Sequence, residues 1–295
     1  MGFEPPRRLV RALGDNDWTG QLPKLVEDTA VRDGLEIERV MVPGGRSSLV
    51  VLVRRRDGTP AALKLVPPFA GPALERAALA HWNGFGAVRL LGGSGGALLL
   101  ERLHPELSVR SLPEAKALLE AAGTMRRLWV EPPSGHGFET VAERTARQVS
   151  ALPERAAAAP QALVDEALVD EALAAREELL AHSPESLLLH GNFRQSKVLA
   201  GDRTPWLAVG PEPLVGERAY DLARLARDRV EDLVAAAAGA SAARRRVNRL
   251  ADSLDVDRDR LRGWTLFRAV ESGTRAIAEG RHAEGELSLE FAGWL

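Results

Sequence analysis

Residues 187–200 read LLLHGNFRQSKVLA, and residues 205–225 read PWLAVGPEPLVGERAYDLARL. Upstream of this segment, residues 36–103 contain short apolar runs with a period of two, which is typical of β-strands. From about residue 112 the chain is rich in Ala, Leu and Glu, residues that favour helices. The pattern predicts an α+β protein with a β-rich first part and a larger helical second part.

The segment resembles the catalytic region of the aminoglycoside/hydroxyurea phosphotransferase family, small-molecule kinases with a protein-kinase-like fold. The family's pattern here is approximately HGDxHxxNVL, followed by WxAIDPKxLVGDxAYDLA. The resemblance covers roughly residues 20–280 and implies two lobes, an N-lobe at 1–103 and a helical C-lobe at 104–295. Matching scaffold positions run through both motifs: His190, Gly191, Val198, Leu199, Trp206, Pro211, Leu214, Val215, Gly216, Tyr220, Asp221 and Leu222.

Three positions that carry the family's chemistry hold other residues. Aligned without gaps, the general-base Asp becomes Asn192, the metal-binding Asn becomes Lys197 and the metal-binding Asp becomes Gly210. An amide cannot take a proton from the acceptor hydroxyl, and neither an ammonium group nor a glycine gives Mg²⁺ an oxygen ligand from its side chain. We therefore expect none of the three to act in catalysis, and we expect His190 to be structural. Glu212 is a weak metal candidate, because a side chain two residues further along a turn rarely reaches the same point.

The residues expected to bind a nucleotide lie in the N-lobe, where the resemblance implies a phosphate-covering glycine loop, a lysine–glutamate pair and a hinge. In that order they are Gly44, Gly45, Ser47, Ser48, Lys64, Glu75, Glu101 and Leu103. A Lys among apolar strand residues is costly to bury without an anionic partner, and Glu75 on the following predicted helix is the natural partner for Lys64. The alternatives are a plain hairpin turn at the loop and a solvent-facing lysine.

Local signals predict the elements around these residues. Apolar residues at helical spacing between 22 and 30, followed by Gly34, predict a helix with a glycine C-cap. Asp57-Gly58 between two β-rich runs predicts a hairpin, and Pro72 predicts the start of a helix that ends near residue 83. Two strands joined by a glycine-rich turn are expected at 87–103.

Helices are also predicted downstream of the catalytic segment, at about 219–238, 240–253 and 258–279, with Asp257 as the N-cap of the last. Within the second of these, the basic run RRRVNR at 244–249 is expected to be a solvated helix face. The repeated ALVDE at 162–171 has a period of five, which does not match a helix stripe. It is interpreted as helix-forming low complexity.

Composition excludes several classes of protein. The chain of 295 residues has a formal net charge of −2, which gives no electrostatic reason to expect nucleic acid or a membrane surface as a partner. It has no cysteine, and its six histidines show no paired spacing, so a zinc site is not expected. No secretory signal or apolar run of membrane-spanning length occurs, and a cytoplasmic protein is the expectation.

Three functions follow from these observations. The first is a catalytically impaired, pseudokinase-like family member that acts by binding a nucleotide, a small molecule or a protein partner, with weak ATP binding that needs no Mg²⁺. The second is an active ATP-dependent phosphotransferase for an aminoglycoside-like or other secondary metabolite with an altered metal site. The third is a cleft reused for non-kinase chemistry on a secondary metabolite. Fold-level analogy does not separate them.

Overall fold

A computed structural model describes residues 3–14, 16–158 and 164–295. The chain divides into two compact units, one of Met1–Ser108 with Leu199–Gly210 and one of Val109–Val198 with Pro211–Leu295. The sequence prediction divides the lobes at residue 103 and assigns residues 199–210 to the C-lobe, whereas their contacts lie in the first unit. The first two residues of the ALVDE repeat lie outside the described residues.

The strands, in chain order, are β1 (Leu35–Val40), β2 (Leu49–Arg55), β3 (Pro60–Leu65), β4 (Leu90–Gly92), β5 (Ala97–Glu101), β6 (His104–Ser108), β7 (Leu187–Leu189), β8 (Val198–Ala200), β9 (Trp206–Ala208) and β10 (Leu214–Gly216). Five of them form an antiparallel sheet in the first unit, in the order β1-β2-β3-β5-β4. Smaller sheets have the orders β6-β8-β9 and β10-β7.

The helices are α1 (Arg7–Leu13), α2 (Asp17–Asp33), α3 (Pro72–Trp82), α4 (Glu114–Arg126), α5 (Val141–Ser150), α6 (Leu152–Ala158), α7 (Glu166–Ala181), α8 (Arg218–Ala226), α9 (Val230–Val234), α10 (Gly239–Leu254), α11 (Arg258–Ala278) and α12 (His282–Ala292). Short 3₁₀ turns lie at Pro68–Ala70, Val109–Ser111 and Gln195–Lys197. The expected α+β class, with a β-rich first part and a helical second part, is confirmed. No helix in the described ranges is long and apolar enough to cross a membrane.

The five-stranded sheet packs one face against the N-terminal helices. In the register of β2 with β3, Val51 faces Leu63 and Val53 faces Ala61. These residues are fully buried, in one core cluster with Leu22 of α2. Because side chains alternate along a strand, residues between them point to the opposite face. Lys64 of β3 is therefore on the other side of the sheet from this cluster.

The local predictions for the first unit are confirmed. Helix α2 ends at Gly34, which adopts the left-handed conformation (φ 62°, ψ 48°) that glycine tolerates best. Asp57-Gly58 lies in the turn between β2 and β3, and α3 begins at Pro72. Both strands predicted within 87–103 are present as β4 and β5.

One predicted helix of the second unit is wrong in its extent. The helix expected at 219–238 is two helices, α8 and α9, with a break at residues 227–229. Arg229 takes a left-handed conformation (φ 56°, ψ 40°), which ends the helical ladder. The other two predicted helices are confirmed as α10 and α11, and Asp257 caps α11 by accepting from the amide of Arg260 at 2.8 Å.

The basic run on α10 is only partly a solvated face, so that interpretation is corrected. Arg244 and Arg245 are exposed. Arg246 is buried, and its guanidinium donates to the backbone oxygen of Asp228 at 2.6 Å. It also forms an ion pair with Glu114 of α4. Arg246 therefore ties α10 to the break after α8.

Candidate functional site

The predicted catalytic loop begins where β7 ends. Because β7 pairs antiparallel with β10, Leu189 faces Leu214, and the residues after β7 lie beside those before β10. The amide of Glu212 donates to the backbone oxygen of His190 at 2.9 Å. At Gly191 (φ 75°) an added Cβ would lie 2.0 Å from the carbonyl oxygen of Glu212, so this contact requires glycine.

Two helices hold this loop from behind. The buried carboxylate of Asp221 on α8 accepts the backbone amides of His190 and Gly191, both at 3.0 Å. Burial raises the pKa of Asp221, although these hydrogen bonds and the charge of Arg268 oppose the rise. Arg268 of α11 donates to the backbone oxygens of Gly191 at 3.0 Å and Tyr220 at 2.9 Å. The loop's backbone is therefore fixed on both sides.

His190 is fully buried inside this arrangement. Its Nδ1 lies 3.3 Å from the backbone nitrogen of Asn192, which donates to it, and its ring packs edge-on against Phe193. These contacts orient the loop. This geometry favours the structural role that is expected for His190.

Asn192 and Glu212 are in direct contact. The Asn192 side-chain nitrogen donates to a carboxylate oxygen of Glu212 at 2.5 Å. The β7–β10 pairing brings residues 190–192 beside residue 212, which accounts for this contact. A carboxylate therefore lies beside residue 192, where the family carries one on residue 192 itself.

Glu212 is surrounded by positive charge. Burial is the largest single effect and raises the pKa of its carboxyl, whereas the charge of Lys197 and the hydrogen bond from Asn192 lower it. The charges of Arg144 and Arg268 act in the same direction, and the pKa lies below its ordinary value. Glu212 is therefore ionised at neutral pH, and Lys197, at the end of the 3₁₀ turn Gln195–Lys197, contributes to keeping it so.

The residues do not fit a magnesium ion. Lys197 is a cation where the family has a neutral metal ligand, and Gly210 (φ 62°) has no side chain. Within the described part of the chain, no group of three or more His, Asp or Glu side chains is placed to hold a metal ion. Glu212 alone supplies too few oxygen ligands.

In the first unit, Lys64 and Glu75 form the predicted pair. The Lys64 ammonium lies 2.5 and 2.6 Å from the two carboxylate oxygens of Glu75, and both side chains are nearly buried. Glu75 lies in the first turn of α3, and Lys64 lies on the face of β3 away from the core with α2. The ammonium group of Lys64 is suited to bind a nucleotide phosphate.

The other predicted nucleotide residues lie in two places in the first unit. Gly44, Gly45, Ser47 and Ser48 share the turn between β1 and β2, and Gly44 has a φ of 75°. At the end of β5, the amide of Glu101 donates to the backbone oxygen of Arg89 at 3.0 Å. Its carboxylate binds Arg203 at 2.7 Å. These groups of Glu101 are engaged within the unit, and Leu103 is buried.

Sequence reasoning missed a cavity of about 440 Å³ within the second unit. Asn192 and Glu212 line it, so it opens onto the catalytic loop. Nine of its lining side chains are arginines and five are acidic. These arginines come from the chain between residues 110 and 281, on separate helices and loops, and no local motif marks them.

The chain matches the sequence model of a family described as aminoglycoside/hydroxyurea antibiotic resistance kinase, over residues 33–280. It belongs to that family. A streptomycin 6-kinase of Streptomyces glaucescens is 34% identical over 288 residues, covering 96% of this chain and 92% of the relative. A hydroxyurea phosphotransferase of Kitasatospora aureofaciens is 37% identical over 287 residues, covering 92% of this chain and 80% of the relative.

Solved structures of other small-molecule kinases have a similar fold. An aminoglycoside phosphotransferase, APH(4)-Ia, solved with AMP-PNP and hygromycin B, matches with a TM-score of 0.61 at 16% identity. The match covers 92% of this chain and 97% of that one. An ethanolamine kinase of Plasmodium vivax matches with a TM-score of 0.60 at 13% identity, covering 93% and 85%. At these identities the likeness shows the fold alone, which is the predicted kinase-like fold.

Proposed function

We propose that this chain is a nucleotide-dependent phosphotransferase in which Glu212 replaces the missing carboxylate at residue 192. The observation that carries the proposal is the contact of 2.5 Å between the Asn192 amide and the Glu212 carboxylate. Phosphoryl transfer needs one carboxylate to orient the acceptor hydroxyl and take its proton, and otherwise needs positioning and neutralised charge. Glu212 is ionised and lies beside the catalytic loop.

The other requirements are assigned to residues of this chain. A bound nucleoside triphosphate supplies the phosphoryl group, and Lys64, held by Glu75, is the residue assigned to its phosphates. Lys197 supplies fixed positive charge at the family's metal-ligand position, which favours a reaction without Mg²⁺. Asn192 donates to Glu212 and so fixes the orientation of the base. The names of the relatives, streptomycin 6-kinase and hydroxyurea phosphotransferase, support an acceptor that is a small metabolite.

A second candidate is a family member that binds ligands without turnover. Three replacements at one site, Asn192, Lys197 and Gly210, favour it, because a kinase that loses its base and both metal ligands loses most of its rate. The two candidates share the nucleotide site and differ in whether phosphate leaves ATP. A transfer assay therefore separates them.

The test is transfer of labelled phosphate from ATP to a panel of neutral, cationic and phosphorylated hydroxyl compounds. We expect a phosphorylated product from the wild-type chain and a loss of about 10²–10⁴-fold in the Glu212→Gln variant. Glu286→Gln changes an exposed carboxylate on α12 and serves as the matched control. If ATP binds but none of the panel is phosphorylated at a rate above the Glu212→Gln background, the second candidate is correct and the chain binds ligands without turnover.

A further inference from the structure

The acidic side chains of the arginine-rich cavity already have partners. Asp228 accepts from the amide of Gln195 at 2.5 Å and lies 3.7 Å from Arg110. Glu231 pairs with the same arginine at 2.5 Å. Glu271 lies 3.6 Å from Arg275. The remaining two acidic residues bind Asn192 and Arg281.

Four of the arginines lack such a partner. Among the residues that the structure describes, no carboxylate lies within 4.0 Å of the side-chain nitrogens of Arg194, Arg224, Arg227 or Arg268. Arg268 donates to backbone oxygens, and Arg227 donates to the hydroxyl of Ser272 at 3.0 Å. The Nε atoms of Arg194 and Arg227 are buried and have no hydrogen-bond acceptor in the described structure.

Holding these guanidinium groups together is unfavourable without an anion. Burial, followed by the charges of Arg268 and Arg194, lowers the pKa of Arg224 to about 10. Burial and the charges of Arg224 and Arg268 lower the pKa of Arg227 well below its ordinary value. A guanidinium group stays protonated in proteins, so the two groups repel one another. A ligand that supplies negative charge therefore stabilises a site that contains such a cluster.

We propose that this cavity binds a small phosphate-bearing molecule, whose phosphate is held by Arg194, Arg224, Arg227 and Arg268. A planar guanidinium donates two parallel hydrogen bonds to phosphate oxygens, and four guanidinium groups that lack a carboxylate partner suit a doubly charged phosphate better than a single carboxylate. The cavity volume of about 440 Å³ is that of a small-metabolite site. The excess of arginine over acidic residues disfavours a polycation such as an aminoglycoside.

This ligand is also assigned as the acceptor, because Asn192 and Glu212 line the same cavity. That assignment rests on the phosphotransferase function proposed above. The substrate is then a hydroxyl compound that already carries a phosphate, such as a phosphorylated sugar or polyol. The reaction transfers a second phosphoryl group from ATP to its hydroxyl oxygen. The bond between the β,γ-bridging oxygen and the γ-phosphorus of ATP breaks, and a new bond forms between that phosphorus and the acceptor oxygen. ADP leaves, and the hydroxyl proton passes to Glu212.

Binding is tested without turnover, by calorimetric titration of the full chain with inorganic phosphate and pyrophosphate. We expect both to bind, and we expect Arg224→Gln and Arg194→Gln each to weaken binding by about tenfold or more, through loss of charge-assisted hydrogen bonds. Arg262→Gln, an exposed change on α11, should leave binding unchanged. The absence of phosphate and pyrophosphate binding, or equal losses in Arg262→Gln, would overturn the proposal.

Two further measurements test whether the cavity is an anion site. The first distinguishes it from a purely structural arginine cluster, and the second excludes phosphate binding at the nucleotide site. Without phosphate, Arg224→Gln should raise the melting temperature, because it removes one of several repelling charges, whereas a purely structural arginine would lower it. A Lys64→Met/Glu75→Leu variant should keep phosphate binding at the cavity, and its loss there would assign the phosphate to the nucleotide site. Phosphate binding without any transfer would reject the phosphotransferase but not the anion site.

Discussion

The ammonium of Lys64 lies 2.5 and 2.6 Å from the two carboxylate oxygens of Glu75, and the two side chains are only 12% and 7% exposed. A buried ion pair of this kind is costly to break, because removing one partner leaves the other charge buried and unpaired. We expect Glu75→Gln to reduce the free energy of unfolding by about 3–5 kcal/mol. Urea unfolding of the variant and the wild-type chain measures this.

The double variant Lys64→Met/Glu75→Leu separates stability from binding. Replacing both charges with apolar residues should return stability to within about 2 kcal/mol of the wild type. ATP affinity should still fall by about tenfold or more, since the charge-assisted contact to phosphate is gone. Full ATP affinity in this stable variant would show that Lys64 does not bind phosphate.

Much of the first unit could be predicted because its signals are local. The C-cap at Gly34, the hairpin at Asp57-Gly58 and the helix start at Pro72 each depend on the conformational preference of one or two residues. The break at Arg229 carries no such signal, since a non-glycine residue with a φ of 56° is held there by its surroundings.

Only those residues of the candidate site that share one sequence motif could be predicted. His190, Asn192 and Lys197 lie within eight residues of sequence, and the family pattern identifies them. The contact between Asn192 and Glu212 depends on the pairing of β7 with β10, which sequence spacing does not reveal. The cavity's arginines lie on separate elements, so no single motif contains them. Arg246 was predicted to lie on a solvated helix face, although it is buried.

Glu212 should contribute to the dependence of stability on pH. Its folded-state pKa lies below its ordinary value, so the stability it adds is fully present above the unfolded-state pKa of about 4.3. That stability is lost as the pH falls through the lower, folded-state pKa. We expect Glu212→Gln to cost at most about 1 kcal/mol at pH 7, because part of the side chain is exposed to solvent, although its carboxylate lies among packed residues. The difference from wild type should vanish in acid, and a difference that grows on acidification would contradict the assignment.

Asp221 should matter for stability more than for proton transfer. An asparagine there has a single acceptor oxygen, so one of the buried amides of His190 and Gly191 would lose its partner. We expect Asp221→Asn to destabilise the chain by about 1–3 kcal/mol. Asp252→Asn removes an exposed ion pair with Arg258 and should have a clearly smaller effect on stability. Equal effects of the two changes would mean that Asp221 does not hold the loop.

Mg²⁺ should have little effect on nucleotide binding, because Lys197 and Gly210 provide no oxygen ligand from their side chains. We expect ATP affinity with and without Mg²⁺ to differ by less than about threefold after correction for binding of the metal to free ATP. Calorimetric titration under both conditions measures the ratio. A large gain with Mg²⁺ would reveal metal ligands, and Glu212→Gln would show whether Glu212 is one of them.

Restoring the family's three residues together should restore the metal dependence. The variant Asn192→Asp/Lys197→Asn/Gly210→Asp regains two carboxylates and a neutral amide, the groups with which this family coordinates Mg²⁺ and takes the acceptor proton. Gly210 has a φ of 62°, so an aspartate there should cost about 1–2 kcal/mol of stability. Gly210→Asn carries similar strain without the carboxylate and is therefore the matched control. We expect ATP binding to become Mg²⁺-dependent in the triple variant but not in Gly210→Asn. The triple variant could fold and still bind ATP equally well with and without Mg²⁺. Losses at these three positions would then not explain the metal independence, and the nucleotide-binding residues of the first unit would have diverged as well.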